Sequence, residues 1–163
     1  MTDPARPTLR PATPDDEAFL AQVYISTRPD LEALPLPPDQ RAALLSFQTR
    51  AQEQHYTSHY PGVERLIVEL DGVPVGRLYR WQTAAHQFLL DIALLPRTRR
   101  AGLGTQLIQE ELRRAAALGL PLRLHVEQSN PARRLYARLG FELLDDQDTA
   151  GVYVEMEHAP GHG

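Results

Sequence analysis

The stretch "RTRRAGLGT", Arg97 to Thr105, joins an apolar run to a long amphipathic pattern and sets two glycines, Gly102 and Gly104, at the start of a helix. Glycine inside a helix costs roughly 1 kcal/mol against alanine, so its placement here needs a use. It tolerates left-handed dihedrals and lets another molecule approach the backbone closely. A helix N-terminus also offers unpaired N–H groups and the positive end of a dipole, both suited to phosphate. Arg97, Arg99 and Arg100 add positive charge around it. Phosphate binding is the chemistry expected of this loop; a tight strand-to-helix turn with solvated arginines is the plainer alternative.

A second unusual placement is Asp91, inside the apolar run "QFLLDIALL". An unpaired carboxylate is costly there, so Asp91 needs a partner or a polar site to face. His55 and His59 stand four apart and could share a helix face, but Tyr56 occupies the place of the glutamate in H-E-x-x-H and no third ligand is evident. A solvated helix end is expected there, and no metal. His125 near Ser129 lacks the G-x-S-x-G elbow of a serine hydrolase.

Composition removes other classes. The chain of 163 residues has no cysteine and no lysine, which excludes disulfides, cysteine nucleophiles, the phosphate-loop lysine and Schiff-base chemistry. A formal charge of −4 argues against nucleic acid as a partner. No apolar stretch approaches the roughly 20 residues of a membrane span, and "MTDPARPTLRP" lacks the layout of a signal peptide. The expectation is a soluble cytoplasmic protein of one domain, residues 1–163, with a core over about 7–158.

The elements that must position these residues follow from period and punctuation. "TLRPA" is a short strand, and Thr13-Pro14-Asp15-Asp16 opens a helix carrying Phe19, Leu20, Val23 and Tyr24 on one stripe. The Pro-rich "PDLEALPLPPD" breaks it; a second helix starts near Asp39, with Leu44, Phe47 and Ala51 at helical spacing. "RLIVEL" and "VPVGRLYRWQ" flank Asp71-Gly72, a hairpin signal, although Pro74 suggests an edge position or a bulge. "QFLLDIALL" reads as a strand buried on both faces. The helix after the loop carries Leu103, Leu107, Ile108, Leu112 and Ala115. "LRLHVE", a short helix "PARRLYARL", "FELLD" and "VYVEMEH" complete the order β-α-α-β-β-β-α-β-α-β-β. A dinucleotide fold fits poorly: the loop reads R-x-x-G-x-G, not G-x-G-x-x-G, and comes after a strand meander.

Two motifs in that order carry a resemblance. "IALLPRTRRAGLGTQLIQEEL", with Arg99, Gly102 and Gly104, resembles the [R/Q]-x-x-G-x-[G/A] acyl-CoA-binding motif of the GNAT superfamily of N-acyltransferases. "NPARRLYARLGF", with Asn130, Tyr136, Gly140 and Phe141, resembles that family's second signature. The likeness covers nearly the whole chain. It implies an α/β (α+β mixed) GNAT fold, a mixed, mostly antiparallel twisted sheet of six to seven strands flanked by about four helices. It also implies an enzyme that moves an acetyl group from acetyl-CoA to a primary amine by direct attack. A non-catalytic acyl-CoA sensor of the same fold is the alternative, and a nucleotide-dependent enzyme a third.

The resemblance also distributes roles. Backbone N–H groups of Arg99, Arg100, Ala101, Gly102, Leu103, Gly104 and Thr105 would hold the pyrophosphate. The strand at Ile92, Ala93 and Leu94 would pair with the pantetheine arm, an N–H near Leu94 facing the thioester oxygen. Asn130 would contact pantetheine or simply cap its helix, and Arg133 would join the cofactor side. Tyr136 would give a proton to the departing thiolate, core packing beside Leu135 and Leu139 being its other reading. The base is open among Asp91, which is favoured, Glu69, His125, Glu127 and a water relay. The acceptor, a small molecule or a peptide or protein amine, would meet the N-terminal helices, where "QEQHYTSHYPG" suits an amine or a dimer contact equally well.

Overall fold

The computed structural model describes residues 6–98, 102–144 and 153–160. Seven strands form one sheet in the order β1-β2-β3-β4-β5-β7-β6: β1 Thr8–Pro11, β2 Glu64–Leu70, β3 Val73–Gln82, β4 Gln87–Leu94, β5 Leu122–Glu127, β6 Glu142–Leu143 and β7 Tyr153–His158. Five helices accompany them: α1 Glu17–Ser26, α2 Pro29–Glu32, α3 Pro38–His59, α4 Leu103–Leu118 and α5 Ala132–Arg138. The mixed α/β class and the mostly antiparallel sheet are those expected; the extra helix, α2, is a single turn inside the Pro-rich break. Two compact units divide the chain, Met1–Tyr79 with Asp91–Leu103, and Arg80–Leu90 with Gly104–Gly163. Among the described residues no helix is long and apolar enough to cross a membrane.

In the first unit β1 and β2 pair antiparallel, Leu9 opposite Val68. Asp71 and Gly72 both have positive φ, 51° and 78°, the double left-handed turn whose twist suits a hairpin. Pro74 follows that turn at the second residue of β3 and does not mark an edge, because β3 lies between β2 and β4. Proline at a strand's beginning gives up little of the ladder. The first helix starts one turn later than its cap suggested: Pro14–Asp16 is a 3-10 turn, with the Thr13 N–H donating to Asp16 Oδ2 at 2.8 Å. Leu20, Val23 and Tyr24 are buried as expected, and Val23 packs with Ala93 and Leu95.

The second helix corrects the sequence reading. Phe47 is 62% exposed, and the inward face of α3 carries Leu45 and Thr49, then the half-buried Gln52, Glu53 and Tyr56. That face is largely polar, so apolar spacing pointed one residue away from it. The same happened on α4, where Leu103, Leu107, Ile108 and Ala115 are buried but the fifth inward residue is Glu111, not Leu112; from Gly104 on, this helix belongs to the second unit. Glu111 accepts from Arg80 Nη1 at 2.7 Å, a pairing that makes its burial tolerable. There β4 pairs parallel with β5, Leu89 beside Leu124, and β5 pairs antiparallel with β7, Leu124 opposite Met156.

Candidate active site

β3 and β4 approach unusually closely at Gly76. A Cβ there would lie 2.4 Å from the Ala93 carbonyl oxygen and 2.7 Å from Leu94 Cδ2, so only glycine lets β4 run where it does. The Leu95 N–H donates to Val75 O at 2.8 Å, while at the turn the Thr83 N–H donates to His86 O at 2.9 Å. Asp91 of β4 accepts from Arg77 of β3 and so lies on the face that carries Arg77 and Tyr79.

On that face sits a buried charge cluster. Arg77 is 1% exposed; its Nε donates to Asp91 Oδ2 at 2.5 Å and its Nη2 to Gln52 Oε1 at 3.0 Å. Its Nη1 lies 3.8 Å from Glu53 Oε1. Glu53 also accepts from the Tyr79 hydroxyl at 2.6 Å and pairs with Arg65 Nη2 at 2.6 Å. Two guanidinium groups thus meet two carboxylates, which answers why Asp91 can stand in an apolar strand. Burial pushes the Asp91 carboxyl above the ordinary carboxylate range, Arg77 works against that shift, and Glu53 adds to it. Burial is the largest influence on the Arg77 guanidinium and opposes its charge, but Asp91, Tyr79 and Tyr56 together hold it above its usual value. Asp91 is not sealed: its side chain keeps 22% exposure, and its Oδ1 takes no hydrogen bond from a described residue.

Beyond Leu94, Pro96–Thr98 forms a 3-10 turn closed by the Thr98 N–H and hydroxyl on Leu95 O, each at 2.9 Å. Arg97 is exposed. Arg99, Arg100 and Ala101 lie outside the described residues. Gly102 has φ +75°, with nothing within 4 Å of where a Cβ would stand, so this glycine serves a left-handed backbone facing open space. Leu103, Gly104 and Thr105 form the first turn of α4, where N–H groups have no partner within the helix. Ile92, Ala93 and Leu94 end β4.

The second unit holds the other expected residues. Asn130 Oδ1 accepts from the Ala132 N–H at 2.9 Å, which realises the cap. Arg133 donates to Gln128 O at 2.9 Å. Tyr136 is half-buried on α5, its ring edge-on to Phe141 at 5.8 Å. Gly140, φ +102°, ends the segment, and a Cβ there would stand 2.9 Å from His158 Nε2. Of the rival bases, Glu69 is occupied by Arg10 Nε at 2.9 Å. His125 is exposed, 3.4 Å from Glu155, and Glu127 meets the Tyr153 hydroxyl at 3.5 Å. The rings of His55 and His59 lie 4.1 Å apart, and among the described residues no group of three His, Cys, Asp or Glu could hold a metal.

Sequence reasoning passed over Arg77, Glu53, Tyr56 and Tyr79. One signal was available: an acid in an apolar strand calls for a cation, and Arg77 stands in the preceding strand with Gly76 beside it.

The Acetyltransferase (GNAT) family model matches residues 20–141. No curated protein matches the sequence. Among solved structures, PaiA N-acetyltransferase from Thermoplasma acidophilum, in complex with coenzyme A, is 18% identical with TM-score 0.68, over 94% of this chain and 98% of that one. The ribosomal-protein-S18-alanine N-acetyltransferase from Escherichia coli is 21% identical with TM-score 0.62, over 96% of each chain. PH1933 from Pyrococcus horikoshii OT3 is 15% identical with TM-score 0.70, over 96% and 99%. At these identities the structural likeness carries the fold.

Proposed function

Because the chain belongs to the GNAT acetyltransferase family, we propose that it transfers an acetyl group from acetyl-CoA to a primary amine by direct attack. The observation that carries the reading is the end of β4. β4, drawn close to β3 at Gly76, ends at Leu94, and further along the chain a left-handed Gly102 precedes α4, a helix start being where N–H groups lack partners within the helix. Gly102, Leu103, Gly104 and Thr105, with Arg99, Arg100 and Ala101, would hold the pyrophosphate, and the end of β4 at Ile92, Ala93 and Leu94 the pantetheine arm. Asn130 and Arg133 would serve the same ligand. Two N-acetyltransferases of similar structure, one with coenzyme A bound and one acting on an alanine of a ribosomal protein, are consistent with this ligand and with an amine acceptor.

In the reaction the amine nitrogen attacks the thioester carbonyl carbon; a C–N bond forms and the C–S bond breaks. The proton leaving nitrogen goes to the open oxygen of Asp91, and the thiolate takes a proton from the Tyr136 hydroxyl. Well-oriented partners react as if at very high local concentration, so holding the two substrates supplies much of the acceleration.

The test is calorimetric titration with acetyl-CoA, followed by thiol release with a panel of primary amines. We expect micromolar binding, lost in Gly102→Glu, and turnover reduced about 100-fold or more in Tyr136→Phe with acetyl-CoA affinity unchanged. No binding to the natural protein would overturn the reading; binding without turnover on any amine would leave a sensor.

A further inference from the structure

The α3 residue Tyr56 is held by two neighbouring rings, although its side chain makes no hydrogen bond to a described residue. Its ring meets Tyr79 edge-to-face, centroids 5.2 Å apart, and lies beside Tyr60 at 6.3 Å. Tyr79 is itself fixed by its hydrogen bond to Glu53. Those contacts set the direction of the Tyr56 phenol, yet its hydroxyl takes no hydrogen bond from a described residue and is not a buried atom. Asp91 projects onto the same face as Tyr79, with one carboxylate oxygen bound by Arg77 and the other open. The two groups are in electrostatic reach: beyond the effect of burial, the charges of Asp91 and Glu53 hold the phenol proton on, while Arg77 acts the other way.

The described residues leave unbonded one carboxylate oxygen and one phenol oxygen, beside the paired Tyr56 and Tyr79 rings. An ammonium group presents several N–H donors to oxygen acceptors and is attracted to aromatic faces. A carboxylate ligand would instead be repelled by Asp91. We propose that Tyr56 is an acceptor-orienting residue, which together with Asp91 binds the ammonium head of a primary alkylamine. Its bearing on turnover rests on the acetyltransferase reading; the binding itself does not.

The experiment titrates primary alkylamines from methylamine to n-hexylamine, and n-hexanol as the uncharged control, into the natural protein, Tyr56→Phe and Asp91→Asn, each with and without CoA. Phenylalanine keeps the ring that packs on Tyr79, so thermal melts of Tyr56→Phe should match the natural protein. We expect an amine of this series to bind, binding to weaken about tenfold or more in Tyr56→Phe, as for loss of a hydrogen bond to a charged group, and to vanish in Asp91→Asn. With acetyl-CoA, KM for that amine should rise by the same factor while KM for acetyl-CoA stays. Equal affinity in Tyr56→Phe, or no binding by any amine of the series, overturns the proposal. Amine binding with these mutant effects but no acetyl transfer overturns the activity and leaves the site; turnover indifferent to Tyr56→Phe does the reverse.

Discussion

Arg77→Met tests the charge cluster that holds β4 and α3 in register. Arg77 is 1% exposed and is the cation that Asp91 touches at 2.5 Å. Methionine fills much of the volume but strands Asp91, deprives Gln52 of a donor and leaves Glu53 with Arg65 and the Tyr79 hydroxyl. Removing one partner of a buried pair typically costs about 3–5 kcal/mol. At roughly 2–4 °C per kcal/mol for a chain of this size, Tm at pH 7 should fall by about 6–20 °C. The loss must also depend on pH. Without the guanidinium, the Asp91 carboxyl is held still further above its unfolded value, so the folded state binds more protons than the unfolded one between those two values. Stability then falls as pH rises through that window, and the deficit against the natural protein closes toward pH 4. Melts followed by circular dichroism from pH 4 to 8 would measure both effects, and Arg77→Met combined with Asp91→Asn should recover at least half of the loss. A Tm drop below about 3 °C at pH 7, or a larger one that is flat with pH, would refute the reasoning.

Gly76→Ala places a carbon 2.4 Å from the Ala93 carbonyl oxygen, a backbone atom that cannot rotate away. Overpacking of this kind costs typically about 1–3 kcal/mol, and if the end of β4 holds acetyl-CoA the affinity for it should fall too; an unchanged melt and unchanged binding would show the strands free to part. At the other end of the first unit, Arg10 and then the Thr13 N–H hold the Asp16 carboxyl well below the usual carboxylate range. That contribution is complete above an unfolded value of about 3.9 and is lost as pH falls below it. Asp16→Asn should therefore cost about 1 kcal/mol at neutral pH and flatten the acid limb of an unfolding curve; an unaltered acid limb would remove Asp16 from the account.

The class of fold and the position of the glycine loop were legible because both rest on local signals: the double left-handed turn at Asp71-Gly72, a left-handed Gly102, an apolar central strand, a helix stopped at Gly140. What the sequence concealed was concealed for one physical reason. Hydrophobic spacing locates an inward face only where that face is apolar. On α3 the inward face carries Gln52 and Glu53, whose partners Arg77 and Tyr79 lie some two dozen residues further along the chain. On α4 the buried Glu111 is matched by Arg80, 31 residues before it. In both helices the pattern pointed to a neighbour of the inward polar residue, Ala51 beside Gln52 on α3 and Leu112 beside Glu111 on α4. A helix turned toward a site must carry polar groups inward, and those groups erase the signal by which a helix is oriented. The failure on α3 is therefore informative: the helix whose apolar stripe misleads is the one bearing Tyr56 and Glu53. An acid in an apolar strand, set against a neighbouring helix with no convincing apolar face, is a pattern that can be sought in sequence. Its expected structural counterpart is a buried guanidinium between the two.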